Sequence, residues 1–236
     1  MHASGMEDSI AALVARMEAD LASLDGDGRR HFHATYLRTT RAVGAEIANG
    51  GFLDNAWLER WDLVFADLYL DALDADRQGR AVPAPWHVAF DAARHRVDLP
   101  PLRHVLLGMN AHINYDLPQA LIAVITPAEF DDAELLARRA ADHRHVDDVL
   151  LAQVGVQGAA LGFLNRAATR RLLVESRRKV WHNTSELDKA RRSGTYPLKL
   201  GQLEAACAAR VGELTAPGQV LLRLARRGFG VTLATD

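Results

Sequence analysis

The sequence predicts an all-α fold, a single multi-helix bundle with short connections, and three observations carry that prediction. Apolar residues recur at helical spacing from end to end, and Ala, Leu and Arg are abundant. No segment shows the sustained two-residue alternation, rich in Val, Ile and Thr, that marks a strand. The breaks between periodic stretches carry Gly, Pro and Asn rather than long polar linkers.

The first predicted helix, 7–24, stops at Asp25-Gly26-Asp27-Gly28. The second, 29–48, places His33, Tyr36, Leu37, Thr40, Gly44 and Ile47 on one face, which turns His33 inward and His31 outward. Asn49-Gly50-Gly51 ends it. The third, 54–75, carries Asp62, Asp67 and Asp71, with Asp67 and Asp71 sharing a face beside Val64 and Leu68. The stretch from Gln78-Gly79 to Pro83-Ala84-Pro85 closes it and opens a helix over 84–97. Pro100-Pro101 introduces 102–125, and Thr126-Pro127 separates that helix from 128–154. Helices over 158–192 and 199–212 flank the turn from Gly194 to Pro197, and Ala216-Pro217-Gly218 precedes a last helix over 217–227. With no repeat and no low-complexity tract, one helical domain over 1–236 is expected.

At 236 residues and 49% hydrophobic, the chain buries a sizeable core. A net charge of −2 is too near zero to draw in nucleic acid or an anionic membrane as a whole-molecule field, and no nucleic-acid-binding motif occurs. The one cysteine, Cys207, excludes an intrachain disulfide and a Cys-based zinc cluster and fits a reducing compartment. Glu7, Asp8, Arg16, Glu18 and Asp20 interrupt the first helix, which therefore lacks the apolar core of a signal peptide. The uncharged stretches around 117–128 and 149–164 fall short of a membrane span. A cytoplasmic location is the expectation, and the oligomeric state stays open.

Residues His104 to Thr126 form an apolar run, HVLLGMNAHINYDLPQALIAVIT, whose one formally charged side chain is Asp116, four residues after His112. On a helix, His112, Tyr115, Asp116 and Gln119 align as a polar stripe. Burying an unpaired carboxylate is costly, so a metal ion, a cationic side chain or mutual hydrogen bonding must compensate it. His143 and Asp147 repeat the spacing 31 residues later, on a face with Val146, Leu150 and Val154. Two such pairs on neighbouring helices would present four ligands to one cavity, since imidazole and carboxylate both bind borderline metals. His145, by contrast, belongs to the solvated face with Arg138, Arg144 and Asp148. His33 joins this set if it meets His112. Inside its helix, Pro118 would deprive the Asn114 carbonyl of its usual donor, a distortion often found beside sites. Between Arg166 and Arg192 lie nine Arg or Lys against three acids, a solvated face that also offers donors to phosphate. HExxH, ExxH, His-Asp, GxGxxG, Walker and GxSxG motifs are absent.

The strings FHATYLRTT at 32–40, PWHVAF at 85–90, LLGMNAHINYDLPQAL at 106–121 and KVWHN at 179–183 resemble an uncharacterised bacterial family, common in actinobacteria, that carries a domain of unknown function. That resemblance spans about residues 30–233 and implies no activity. More distantly, the paired HxxxD motifs resemble the zinc-dependent phospholipase C and P1 nuclease superfamily of all-helical enzymes. This second resemblance implies zinc or another divalent metal on His112, Asp116, His143 and Asp147, with His33 as an early ligand. Ile122 stands where that superfamily places a further His ligand, which leaves a site of one or two metals.

Two function classes follow. One is a metal-dependent hydrolase of a phosphate ester, with Tyr115 or Asn114 orienting the substrate. The other is a non-catalytic helical protein in which the same His, Asp, Tyr and Asn side chains form a buried hydrogen-bond network. A small-molecule or lipid-binding module, or an oxygenase, completes the alternatives.

Overall fold

Helix boundaries follow the local chemistry of the chain. A computed structural model describes residues 3–154, 166–216, 218 and 228–235, and among them every regular element is helical. In chain order these are α1 (Ala3–Ser23), α2 (Arg30–Ala48), α3 (Asn55–Arg77), α4 (Ala84–His95), α5 (Pro101–Ala111), a π-helical turn (His112–Asp116), α6 (Leu117–Val124), α7 (Pro127–Phe130), α8 (Ala133–Val154), α9 (Arg166–Ser193) and α10 (Tyr196–Thr215). The all-α expectation holds. Pro85 and Pro101 lie within the first two positions of α4 and α5, where a missing amide hydrogen costs nothing.

The rod formed by α5, the π turn and α6 lies at the centre. Helices α2 and α10 pack on α5, while α3 and α9 pack on α6. Around this inner group, α1 covers α2 and α3, α4 lies against α5 and α10, and α8 packs on α2 and α9. One hydrophobic core extends from Leu13 on α1 to Phe229. A second, smaller cluster joins Tyr115, Ile122, Leu187, Leu203 and Cys207 to Val231 and Leu233 of the C-terminal segment. No helix among the described residues is long and apolar enough to cross a membrane.

Two predicted helices need correction. The helix expected over 102–125 is interrupted at His112–Asp116, where the Leu117 amide donates to the His112 carbonyl, one residue further back than in an α-helix. Pro118 supplies the reason: without an N–H it cannot close the regular ladder, and the backbone widens by one residue. The helix expected over 128–154 is two, because Asp132 turns its side chain onto the Leu135 amide (2.9 Å) and caps a new start. Helix α9 is described from Arg166; residues 158–165, and all of the predicted 217–227 helix except Gly218, lie outside the described residues.

Close packing of α2 on α5 depends on Gly108, where an added Cβ would fall 2.3 Å from Cγ of Phe32. Gly108→Ala is therefore expected to destabilise the protein by about 1–3 kcal/mol through forced displacement of that ring. Chemical denaturation reads the change.

Candidate functional site

The site is laid out by a ladder of rings on α3. Trp57, Trp61, Phe65 and Tyr69 recur every four residues and so line one face of the helix. Trp57 stacks on Trp61 (6.2 Å between centroids) and Trp61 on Phe65 (5.6 Å). The His112 ring lies parallel to Phe65 at 3.6 Å, with Tyr36 edge-on at 4.5 Å and Phe32, Tyr69 and Trp86 completing the enclosure at 5.8–6.0 Å. An aromatic cage of this kind excludes water and holds the imidazole in one orientation.

Inside the cage, Nδ1 of His112 lies 2.9 Å from Oδ2 of Asp116, and the same oxygen accepts a hydrogen bond from Nε1 of Trp86 at 2.9 Å. The widened turn that Pro118 imposes thus carries the His–Asp pair, and both side chains are almost fully buried. Burial drives the pair toward neutrality, pushing Asp116 well above the usual carboxylate range and His112 well below the usual imidazole range. Nε2 of His112 has no hydrogen-bond partner.

Further buried polar groups approach from α2 and α3. The hydroxyls of Tyr36 and Thr40, one turn apart, lie side by side without completing a hydrogen bond, and Tyr36 is within electrostatic reach of both Asp62 and Asp116. Asp62 is 4% exposed, its Oδ2 has no partner, and burial raises its carboxyl to about 7. Of Asp62, Asp67 and Asp71, possible ligands from the sequence though better read there as acidic surface, Asp67 and Asp71 are exposed and only Asp62 is buried. The overlooked signal is the four-residue ring ladder, which marks the buried face of α3 and carries Asp62 one position behind Trp61.

The other nominated residues are placed elsewhere. His33 is fully buried, but both its nitrogens are used: Nε2 donates to the Met17 carbonyl and Nδ1 accepts from the Tyr69 hydroxyl, each at 2.8 Å. His143 lies between Trp61 (5.6 Å) and Trp181 (6.0 Å), its Nδ1 unpartnered, and burial followed by the charges of Arg177 and Arg144 lowers its imidazole to about 3. Asp147 pairs with Arg177 rather than with His143. The two HxxxD histidines are therefore connected through rings, His112 to Phe65 to Trp61 to His143, instead of facing one cavity. Tyr115 packs in the second apolar cluster, and Asn114 bonds to the C-terminal segment. Among the described residues, no three His, Cys, Asp or Glu side chains come together where a metal ion would sit. The basic run is largely consumed by structure: Arg191 donates to the carbonyls of Ile122 and Ile125, and Arg192 pairs with Asp188 and Asp131.

A surface cleft of about 640 Å³ opens elsewhere, lined by Arg30, His31, Arg94 and His104 together with Asp25 and Asp27. His31 and His104 stack there at 5.9 Å, and Nδ1 of His104 is buried without a partner.

Comparison with known protein families matches residues 10–217 to a family of unknown function (DUF5995). The chain belongs to this family. No curated protein and no solved structure matches it. The stretch shared with DUF5995 takes in the ring ladder, the π turn, His33, Asp62, His143 and Asp147, and it stops short of the C-terminal segment 228–235.

Proposed function

We propose that the His112–Asp116 pair is the working centre of a metal-dependent hydrolase of phosphate esters acting in the cytoplasm. The observation that carries this reading is the unpartnered, buried Nε2 of an imidazole whose other nitrogen is held by a carboxylate. A metal-binding histidine is characteristically oriented in this way, with the carboxylate fixing the ring and raising its basicity. Tyr36 stands edge-on to the ring at 4.5 Å and lies within electrostatic reach of Asp62, so the Tyr36 hydroxyl and Oδ2 of Asp62, both buried without a hydrogen-bond partner, are the candidates to complete the donor set. An imidazole nitrogen, a carboxylate and a phenol suit zinc or another divalent ion of similar hardness. Such an ion supplies a Lewis acid and a water acidic enough to attack at neutral pH. In this reading Asp116 and Trp86 orient the ligand, Asp116 by its bond to Nδ1 and Trp86 by its bond to the same carboxyl oxygen. His143 and Asp147 stand outside the metal, and Tyr115 and Asn114 have packing roles.

A second reading, the non-catalytic hydrogen-bond network, is favoured by His33, whose two bonds tie α1, α2 and α3 together without any ligand. Metal analysis of protein purified without a histidine tag separates the two. The hydrolase reading expects about one zinc, iron or manganese per chain, lost in His112→Ala, and turnover of chromogenic phosphate mono- or diesters. Metal-free protein after loading under metal-replete conditions selects the network. A loaded protein inert on every ester removes the phosphate chemistry.

A further inference from the structure

The surface cleft of about 640 Å³ lies where three helix ends meet. Helices α2 and α5 begin there, at Arg30 and Pro101, and α4 finishes there at His95. The turn before α2 is locked onto α4 at Gly28, where an added Cβ would fall 2.6 Å from the Ala93 carbonyl oxygen, so the wall is preformed. The two starting helices bring the positive ends of their dipoles to the rim, and Arg94 in the last turn of α4 offsets the negative end of the third.

Free hydrogen-bonding capacity in the cleft is mostly donor. Asp27 is fully engaged, accepting from the Arg29 amide (2.8 Å), its Nε (2.9 Å) and its Nη2 (2.6 Å). Arg94 gives only Nη1, to Asp76, which leaves its Nε–Nη2 edge open, the parallel pair of N–H groups that fits two oxygens of one anion. Arg30 has a loose ion pair at 3.5 Å with the exposed Asp25. Between these cations His31 and His104 stack at 5.9 Å. Burial holds both imidazoles below their ordinary range, helped for His31 by Arg30 and for His104 by His31. His104 is 7% exposed, and its Nδ1 has no hydrogen-bond partner.

We propose that this cleft binds a dianionic phosphate group, as a phosphate monoester or as free phosphate, with Arg30 and Arg94 as its guanidinium donors and His31 and His104 taking up a proton as the anion enters. A dianion beside two neutral imidazoles favours their charged forms, so binding and proton uptake are coupled. The carboxylates nearby do not take the place of the anion. Asp27 is held by Arg29, Asp98 by Arg96 and Asp76 by Arg29 and Arg94, while Asp25 stands in water at 87% side-chain exposure. An anion that displaces Asp25 from Arg30 breaks only that loose, solvated pair. None of these residues belongs to the His112 centre, so the site stands whether or not a metal binds there.

Sulfate is the probe that isolates the protein's own protons, because it stays dianionic between about pH 6 and pH 8 whereas phosphate itself titrates there. Calorimetric titration of the full chain is expected to show one saturable sulfate site that tightens at least about threefold from pH 8 to pH 6. Arg30→Gln and Arg94→Gln should each weaken it at least about tenfold at unchanged helicity, and His31→Gln should reduce the pH dependence. Phenyl phosphate and inorganic phosphate then separate the two sources of the group: tighter binding of the ester supports a monoester whose body rests on Val97 and Leu99, and equal binding supports free phosphate. Folded protein that binds none of the three anions saturably at pH 6 overturns the proposal. So does sulfate binding that both arginine variants leave intact, or that is the same at pH 6 and pH 8. Should Arg94→Gln fail to fold through loss of its contact with Asp76, Arg30→Gln, whose side chain is 47% exposed, decides alone.

Discussion

Replacing Trp86 with alanine is expected to cost about 5 kcal/mol, enough to leave a protein of ordinary stability barely folded. Two losses combine. The indole is 1% exposed and packs against Phe32, Tyr69 and Phe90 at 4.9–5.5 Å, so its removal opens a cavity that rigid neighbouring rings cannot collapse. Its Nε1 also donates to Asp116, a carboxyl that burial already holds well above its usual range. Trp86→Phe separates the terms, because it retains most of the ring volume and removes only the donor. The phenylalanine variant should lose about 1–3 kcal/mol, read as a shift in urea midpoint at unchanged slope. A Trp86→Phe variant indistinguishable from wild type would show that the hydrogen bond to Asp116 contributes nothing.

Asp62→Asn is expected to stabilise the metal-free protein at high pH and to leave it unchanged at low pH. Burial alone raises the Asp62 carboxyl from 3.8 to about 7. Below the unfolded value both states are protonated and the group contributes no difference. As pH rises through the interval from 3.8 to about 7 the unfolded chain releases its proton while the folded protein retains it, and stability falls. Above that interval the penalty levels off at about 4 kcal/mol, which asparagine, neutral and nearly isosteric, does not incur. The buried histidines act in the opposite sense: His143, lowered to about 3, withdraws stability as pH falls below the ordinary imidazole range. Comparing wild type with Asp62→Asn at each pH cancels that contribution. The difference between their unfolding free energies should therefore grow from about pH 4 to about pH 7 and then stay flat. A difference independent of pH would place the Asp62 carboxyl in contact with water and remove it from the candidate centre.

The Asp62 result bears on the metal reading through the carboxyl proton. A divalent ion beside Nε2 of His112 would displace the proton of Asp62, so metal affinity should rise as pH passes through about 7. Buried without a cation, the centre remains neutral, held by aromatic packing and by the bonds to Asp116.

Local features were legible without coordinates of any kind. Apolar periodicity determined the all-α fold, Gly and Pro punctuation set most helix limits, and the four-residue spacing of His112 and Asp116 placed imidazole over carboxylate. Even the distortion at Pro118 was foreseeable from its missing amide hydrogen. Partners across helices were not legible. That Asp147 faces Arg177, that His33 spends both nitrogens on Met17 and Tyr69, and that Asn114 grips the C-terminal segment depended on how the helices cross. The physical reason is one of range. Helical pitch fixes which residues of one helix share a face, whereas the side chain met on the opposite face depends on crossing angle and register, which the packing of the whole core decides.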